Sequence, residues 1–470
     1  MSNNPRTPLE AVDDPQAVSD AFTSGAFKTA VYGLGKMGLP LASVFADVTG
    51  AVIGADIDGT VVETVNNGQS HVTGEPGLDP LVAKTVNNGS LNATTDLGAA
   101  AETAQIHVVI VPTLITDDGT PDLSIVDSVT ETIGHGLSDG DLVIIESTVP
   151  PRTCTERVLP TIANASGLDE SAFGIAFCPE RTKSGRAIKD IRRSWPKIVG
   201  GVSEEAGVAA ETLYQSITEN EVIRVSDATT AESVKVFEGV HRDVNIALAN
   251  ELATYTEALG INVREAIAAA NTQDECDILR PGPGVGGHCI PYYPYFLFQQ
   301  FDAESPLLRT ARSVNDDMPA HVVGLLADRL ADREIAISDA NILLLGLTYR
   351  PGVAEIRASP SISISETLTT LGSDVSIVDP LLETYDAFSG TPIEMDELYD
   401  RSYDGIVIAT PHEEFAAIDW NRFDSAVVVD THGTADTVVS KHAYEPLAGV
   451  AVSAETLRER SSIREVVDAP

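Results

Sequence analysis

Residues 28–58 read KTAVYGLGKMGLPLASVFADVTGAVIGADID. A short apolar run, Thr29 to Tyr32, enters a glycine-rich turn. An apolar segment at helical spacing follows, carrying Leu39, Leu41, Val44, Phe45 and Val48. A second apolar run then ends at Asp56. Runs of this length and period predict strand, turn, helix, strand. The turn itself, GLGKMG, sets Gly33, Gly35 and Gly38 in G-x-G-x-x-G spacing. The first glycine permits the tight turn, the second lets a pyrophosphate approach the backbone, and the third lets helix and strand pack closely. The helix N-terminus then faces the phosphates. Asp56 lies 18 residues beyond Gly38, where a carboxylate can accept hydrogen bonds from an adenosine ribose. An acid there would repel a 2′-phosphate, so the expected dinucleotide is NAD rather than NADP. Lys36 and Met37, inside the turn, join Gly33, Gly35, Gly38 and Asp56 as candidate cofactor contacts. The competing reading is a plain strand-to-helix turn.

The alternation continues outward. Strands are expected in IHVVIVP (106–112), DLVIIES (141–147), GIAFCPE (174–180) and PKIVGG (196–201). Continuous apolar strands between helices imply a parallel sheet covered on both faces. From about Ala228 to Gly260 a proline-free stretch of helical period predicts one long helix with Gly260 as C-cap. From Ala340 the α/β pattern restarts and predicts a second doubly wound domain.

Composition narrows the function. The 470 residues are too many for one core. The formal net charge is −40, from 70 acidic and 30 basic residues, only eight of them Lys. Such a chain repels nucleic acid and anionic membranes, so neither is expected as a partner. The charge is spread along the whole chain; it reads either as an acidic solvated surface or as adaptation to high salt, where screening shrinks to about 3 Å at 1 M, and its magnitude with the scarcity of Lys favours the second. No apolar run approaches the roughly 18 residues of a membrane helix. The N-terminus is polar and acidic, unlike a secretory signal. Cys154, Cys178, Cys276 and Cys289 show no metal-ligand spacing, so no metal is expected and a reduced, cytoplasmic setting is.

Further candidates sit at strand ends. VPT (111–113) and ESTVPP (146–151) place Thr113 and Thr148 where open α/β sheets bind ligands, although Ser and Thr there also cap helices. CPERTKSGRAIKD (178–190) places Glu180 at another strand end, while Cys178 reads as a small buried hydrophobe. Lys235 lies on the long helix among Val234, Val236 and Phe237; it is either a functional amine or a snorkelling side chain. PGPGVGGHCIPYYPYFL (281–297) places Cys289 in a glycine-dense loop, poor core material but suited to close approach. A thiol there is a candidate nucleophile.

Together these segments resemble the UDP-glucose/GDP-mannose dehydrogenase family over about residues 28–460. The Gly-rich turn, ESTVPP, CPERTKSGRAIKD, AESVKVFEGVHRDVNIALANELA, GPGVGGHCIP and LGLTYRPGVAEIRASPSISI appear in family order. The resemblance implies two Rossmann-like doubly wound domains joined by a long central helix and a helical dimerisation region. The domains expected are an acidic arm, loosely ordered with a short helix (1–26), an NAD-binding domain (27–227), a central helical, dimerising region with the Cys loop (228–330), a UDP-sugar domain (331–460) and a tail (461–470).

The family oxidises a sugar nucleotide's C6 alcohol to a carboxylate in two NAD-dependent steps. The resemblance makes Cys289 the nucleophile that forms a thiohemiacetal and then a thioester. It gives Lys235 oxyanion stabilisation or proton movement, and Glu180 and Thr148 assistance through a water. It has Gly284, Gly286 and Gly287 let the loop reach the substrate, with Glu180 and Lys235 also touching it. Tyr349, Arg350 and Arg357 fall in the UDP region. Two positions depart from the family pattern: Gly239 replaces an Asn and Tyr293 an Asp. A third change puts Arg350 where the family's motif has Lys. GGHCIP resembles members acting on UDP-N-acetylhexosamines, with UDP-N-acetylmannosamine first, UDP-N-acetylglucosamine second and UDP-glucose the runner-up. Rival classes are a thiol-independent dehydrogenase with Lys235 as base, and a non-catalytic nucleotide binder.

Overall fold

The computed structural model describes residues 5–116, 119–434 and 441–450. The expected tail, 461–470, lies outside them. The chain divides into two compact units. One holds residues 1–238 and 295–302, the other 239–294 and 303–470.

The first unit is built on eight strands: β1 Thr29–Tyr32, β2 Val52–Ala55, β3 Leu91–Thr94, β4 Ile106–Val109, β5 Leu142–Ile145, β6 Gly174–Phe177, β7 Lys197–Gly201 and β8 Val222–Arg224. Their order in the sheet is β8-β7-β6-β5-β4-β1-β2-β3. Every pairing is parallel except β6 with β7. The exception follows from the connection. Residues 178–196 contain only short helical turns, so no crossover carries the chain to the opposite sheet end, and β7 returns antiparallel. β1, β4, β5 and β6 are buried throughout. Separate apolar clusters, one holding Val31, Phe45 and Tyr214 and the other Tyr32, Val109 and Phe177, cover the two faces.

Of the N-terminal arm, the described residues from Pro8 to Thr23 form two short helical elements packed on the first core. Pro8–Val12 forms a 3₁₀ turn and Pro15–Thr23 a helix whose N-cap, Asp14, accepts from the Ala17 N–H. Val18, Ala21 and Phe22, at i, i+3, i+4 spacing, enter the first core, and Phe22 meets Phe45 edge-on at 6.1 Å between centroids.

The second unit carries β9 Asn341–Leu345, β10 Asp374–Val378, β11 Thr391–Pro392, β12 Gly405–Ile408, β13 Val427–Asp430 and β14 Ala443–Pro446. The all-parallel order is β11-β10-β9-β12-β13-β14, again with apolar clusters on both faces. The long helix runs from Ala228 to Thr254. It breaks at Tyr255 and resumes over Thr256–Leu259, where Gly260 caps it at φ +64°. A second long helix, Pro306–Ala331, contains Pro319.

Candidate active site

In the first unit the glycine turn divides its labour. Gly33 has φ +93°, and a Cβ there would lie 2.6 Å from the Ile110 carbonyl oxygen. A Cβ on Gly38 would lie 1.8 Å from the Gly33 oxygen. Both positions therefore need glycine for the fold itself. At Gly35 a Cβ would meet nothing within 4 Å among the described residues. That open space fits a backbone left bare for a pyrophosphate at the helix start, Gly38. Asp56 accepts from the N–H groups of Leu34 (2.7 Å) and Asp58 (3.0 Å) and stays half-exposed, with lone pairs left for a ribose. Ile57 beside it is 86% exposed, an apolar face that sequence reading missed. Met37 accepts a hydrogen bond from the Thr182 hydroxyl at its sulfur, 2.9 Å, and Lys36 is exposed.

β4, β5 and β6 are neighbours, so their C-terminal loops are too. The Thr113 hydroxyl donates to the Thr148 carbonyl at 2.7 Å, and Ser147 Oγ accepts from the Val111 N–H at 2.8 Å. Lys235 Nζ donates to the Glu180 carbonyl and lies 3.8 Å from Glu180 Oε2, with both side chains largely covered. Lys235 is thus turned onto the strand-end loop and does not snorkel.

Glu232, one helical turn before Lys235, went unnoticed in the sequence. It is fully buried and accepts from the N–H groups of Arg152 (2.6 Å) and Cys154 (2.7 Å), joining the loop after Thr148 to the long helix. Arg152 there has φ +75°, a left-handed conformation costly for a non-glycine residue. Burial pushes the Glu232 carboxyl up to about 7, although the two N–H groups oppose the shift. The available signal was an acid three residues before a candidate lysine, on the same helix face. Glu146 is also buried, pairing with Lys197 at 2.9 Å and accepting from the Tyr214 hydroxyl. Cys178 is buried, as a small hydrophobe would be.

In the second unit Cys289 is exposed on its loop. The N–H groups of Tyr292 and Tyr293 both donate to its carbonyl at 3.1 Å, closing a turn. Upstream, the loop hangs on buried polar groups. Asn250 Oδ1 accepts from the Gly282 N–H (2.9 Å), the Asn250 amide donates to Asn315 (2.9 Å), Asn315 donates to Asp243 (2.9 Å), and Arg312 donates to Asp243 (2.6 Å). Arg264 holds the Pro281 carbonyl at 3.0 Å.

Gly284, Gly286 and Gly287 of the loop face protein. A Cβ on Gly284 would meet Pro360 at 3.1 Å, one on Gly286 the Ala358 oxygen at 2.7 Å, and one on Gly287 the Tyr349 ring at 3.0 Å. The close approach these glycines permit is to residues 349–360, and the Gly287 N–H donates to the Arg357 carbonyl at 2.8 Å. Tyr349's phenol is pushed up, mainly by burial, with Glu355 and Cys289 adding to the shift and Arg350 opposing it. Arg350 Nε is buried without a hydrogen-bond partner among the described residues. His288 turns to Glu355 at 2.8 Å. Gly239 and Tyr293, the two departures from the family pattern, touch each other: a Cβ on Gly239 would lie 1.9 Å from Tyr293 Cδ2.

Sequence profiles of the UDP-glucose/GDP-mannose dehydrogenase family match this chain in three parts: the NAD binding domain at residues 27–218, the central domain at 229–317 and the UDP binding domain at 343–437. The chain belongs to that family. It is an NAD-dependent nucleotide-sugar dehydrogenase, and its UDP binding domain indicates a UDP-sugar substrate. Among relatives, it is 39% identical to a UDP-N-acetyl-D-mannosamine dehydrogenase of Pyrococcus horikoshii, over 85% of this chain and 93% of that one. It is 36% identical to an NDP-N-acetyl-D-galactosaminuronic acid dehydrogenase of Ralstonia nicotianae, over 87% and 96%. A solved UDP-D-ManNAc dehydrogenase structure from P. horikoshii is similar with a TM-score of 0.80 at 34% identity, covering 90% of this chain and 99% of that one. Among the described residues of this dehydrogenase, no helix is long and apolar enough to cross a membrane.

Proposed function

We propose that this dehydrogenase oxidises C6 of a UDP-N-acetylhexosamine, first UDP-N-acetyl-D-mannosamine, to the uronate through a covalent bond to Cys289. The carrying observation is an exposed thiol on a loop seated against Tyr349 and the Arg357 backbone. The substrate class is supported by the relatives, whose names share an N-acetylated sugar. NAD, when bound, supplies the hydride acceptor for both oxidations.

In this reading Cys289 adds to the C6 aldehyde, giving a thiohemiacetal whose oxidation leaves a thioester. Lys235 stabilises the oxygen that develops negative charge, and Glu180 with Thr148 holds the water that frees the uronate. Arg350 and Arg357 take the diphosphate and sugar hydroxyls; the Arg357 guanidinium has no partner among the described residues, which suits it to an anion. Thr113 and the turn residues Gly33, Gly35, Lys36, Met37 and Gly38 bind NAD with Asp56.

Residues 27–227 form the NAD domain in this proposal, 228–330 the central region and 331–460 the UDP-sugar domain. A homodimer is supported by exposed Leu248, Tyr255, Leu259 and Ile261 in and just after the long helix. A salt-adapted, cytoplasmic enzyme is supported by the net charge of −40 and four free cysteines, and a place in polysaccharide biosynthesis belongs to this reading through its proposed uronate product alone.

The test is a panel of UDP-sugars with NAD at molar salt, counting NADH and identifying product. Two NADH per sugar, a carboxylate, and a preference of about tenfold or more for an N-acetylated sugar are expected. One NADH with a carbonyl product, or equal turnover of UDP-glucose, would sink the corresponding half of the proposal. Cys289→Ser is expected to lower uronate formation by about a thousandfold or more.

A further inference from the structure

Gly239 lies inside the long helix, where glycine is less stable than alanine and no turn requires it. What occupies the missing side chain's place is the Tyr293 ring, whose Cδ2 and Cε2 would stand 1.9 and 2.8 Å from a Cβ. Tyr293 is 6% exposed, so this is a seated ring rather than a passing contact. Its own N–H donates to the Cys289 carbonyl at 3.1 Å. One residue therefore does two things: its ring rests on bare helix backbone, and its peptide closes the turn that begins at Cys289. Gly239 also follows Lys235 by four residues, one turn along the same helix.

We propose that Gly239 and Tyr293 form a coupled lock that fixes the Cys289 turn to the long helix and so sets where the thiol is presented. Both are positioning residues. The lock depends on the ring plane and on the absence of a Cβ at 239. The proposal rests on Cys289 being the nucleophile, so its test reads the thiol separately from turnover.

Site-resolved alkylation of Cys289 by iodoacetamide is followed by mass spectrometry in the full chain, alongside thermal unfolding and steady-state kinetics. Gly239→Ala is expected to change the alkylation rate by about fivefold or more and to lower kcat about tenfold, with KM for the UDP-sugar moving less than about twofold. It is expected to lower Tm in the wild-type background. In the Tyr293→Ala background the same change is expected to raise Tm, because only helix propensity remains. Tyr293→Phe keeps the ring and is expected to hold alkylation within about twofold of wild type.

Additive effects of the two alanine changes, or a stabilising Gly239→Ala in the wild type, would overturn the lock. A fall in Tm with unchanged Cys289 alkylation would reduce it to packing and overturn its positioning role. Altered alkylation together with full uronate formation by Cys289→Ala would leave the lock standing and sink the thiol reading instead.

Discussion

The two sheets begin with the same device and use it oppositely. At the end of β1, Gly33 turns at φ +93° and the next N–H, of Leu34, donates to Asp56 at 2.7 Å. At the end of β9, Gly346 turns at φ +85° and the next N–H, of Leu347, donates to Asp379 at 2.6 Å. In both, a glycine Cβ would strike a carbonyl of the neighbouring strand's end, Ile110 at 2.6 Å or Thr410 at 2.2 Å. Beyond that the halves part. Asp56 stays half-exposed, whereas Asp379 is 3% exposed and accepts from His412 (3.0 Å) and from the N–H groups of Thr348 and Leu381 as well. The first turn enters its helix at Gly38, while the second runs on to Pro360 and carries Tyr349, Arg350 and Arg357 on the way. An acid with free lone pairs can read a ribose; one whose lone pairs are spent can only hold its own loop.

The largest expected effect comes from breaking the sealed acid. Asp379→Ala leaves His412 and three backbone N–H groups short of an acceptor and should cost about 3 kcal/mol, read as a lower urea midpoint. Burial alone would raise the Asp379 carboxyl, but the His412 bond and the N–H groups outweigh it and hold it below the usual range. Its stabilisation is therefore present above the unfolded carboxylate value and lost as pH falls through the folded one. Next in size is a crossed pair of kinetic changes. Asp56→Ala should raise KM for NAD about tenfold or more with little change for the UDP-sugar, and Arg357→Ala the reverse. Steady-state kinetics with each substrate varied in turn would expose any mixing of the two roles.

A smaller effect concerns Glu232, whose sign is opposite to that of Asp379. Its folded value, about 7, lies above the ordinary carboxylate range. Between those values the folded state binds more protons than the unfolded one, so this group's contribution to stability declines as pH rises toward 7 and is level beyond. Glu232→Gln should remove that slope. Unfolding midpoints of both proteins at pH 5 and pH 8 would show the difference between them changing; a constant difference would remove Glu232 as its source.

Period and glycine spacing made both sheets legible, because buried parallel strands and tight turns leave strong local marks. The strands that escaped notice lie at sheet margins. LNAT in β3 is polar and half-exposed, β8 has three residues and β11 two. Pro319 obscured the second long helix, since proline inside a helix reads as a stop. Glu232 escaped for another reason. Among 70 acidic residues its only mark in the sequence is its place three residues before Lys235, and the backbone N–H groups folded around it are seen only in the structure. The sequence marks the glycines near Cys289 as places of close approach, and only packing reveals that Pro360, Ala358 and Tyr349 lie against Gly284, Gly286 and Gly287.

Phe22 seated against Phe45 carries a practical warning. The family profile begins at residue 27, which invites trimming everything before it. A shortened enzyme would lose Val18 and Phe22 and uncover the greasy flank formed by Phe45 and Tyr214. Such a protein should clump in dilute buffer, and most readily in concentrated salt, where the acidic coat can no longer hold neighbouring molecules apart.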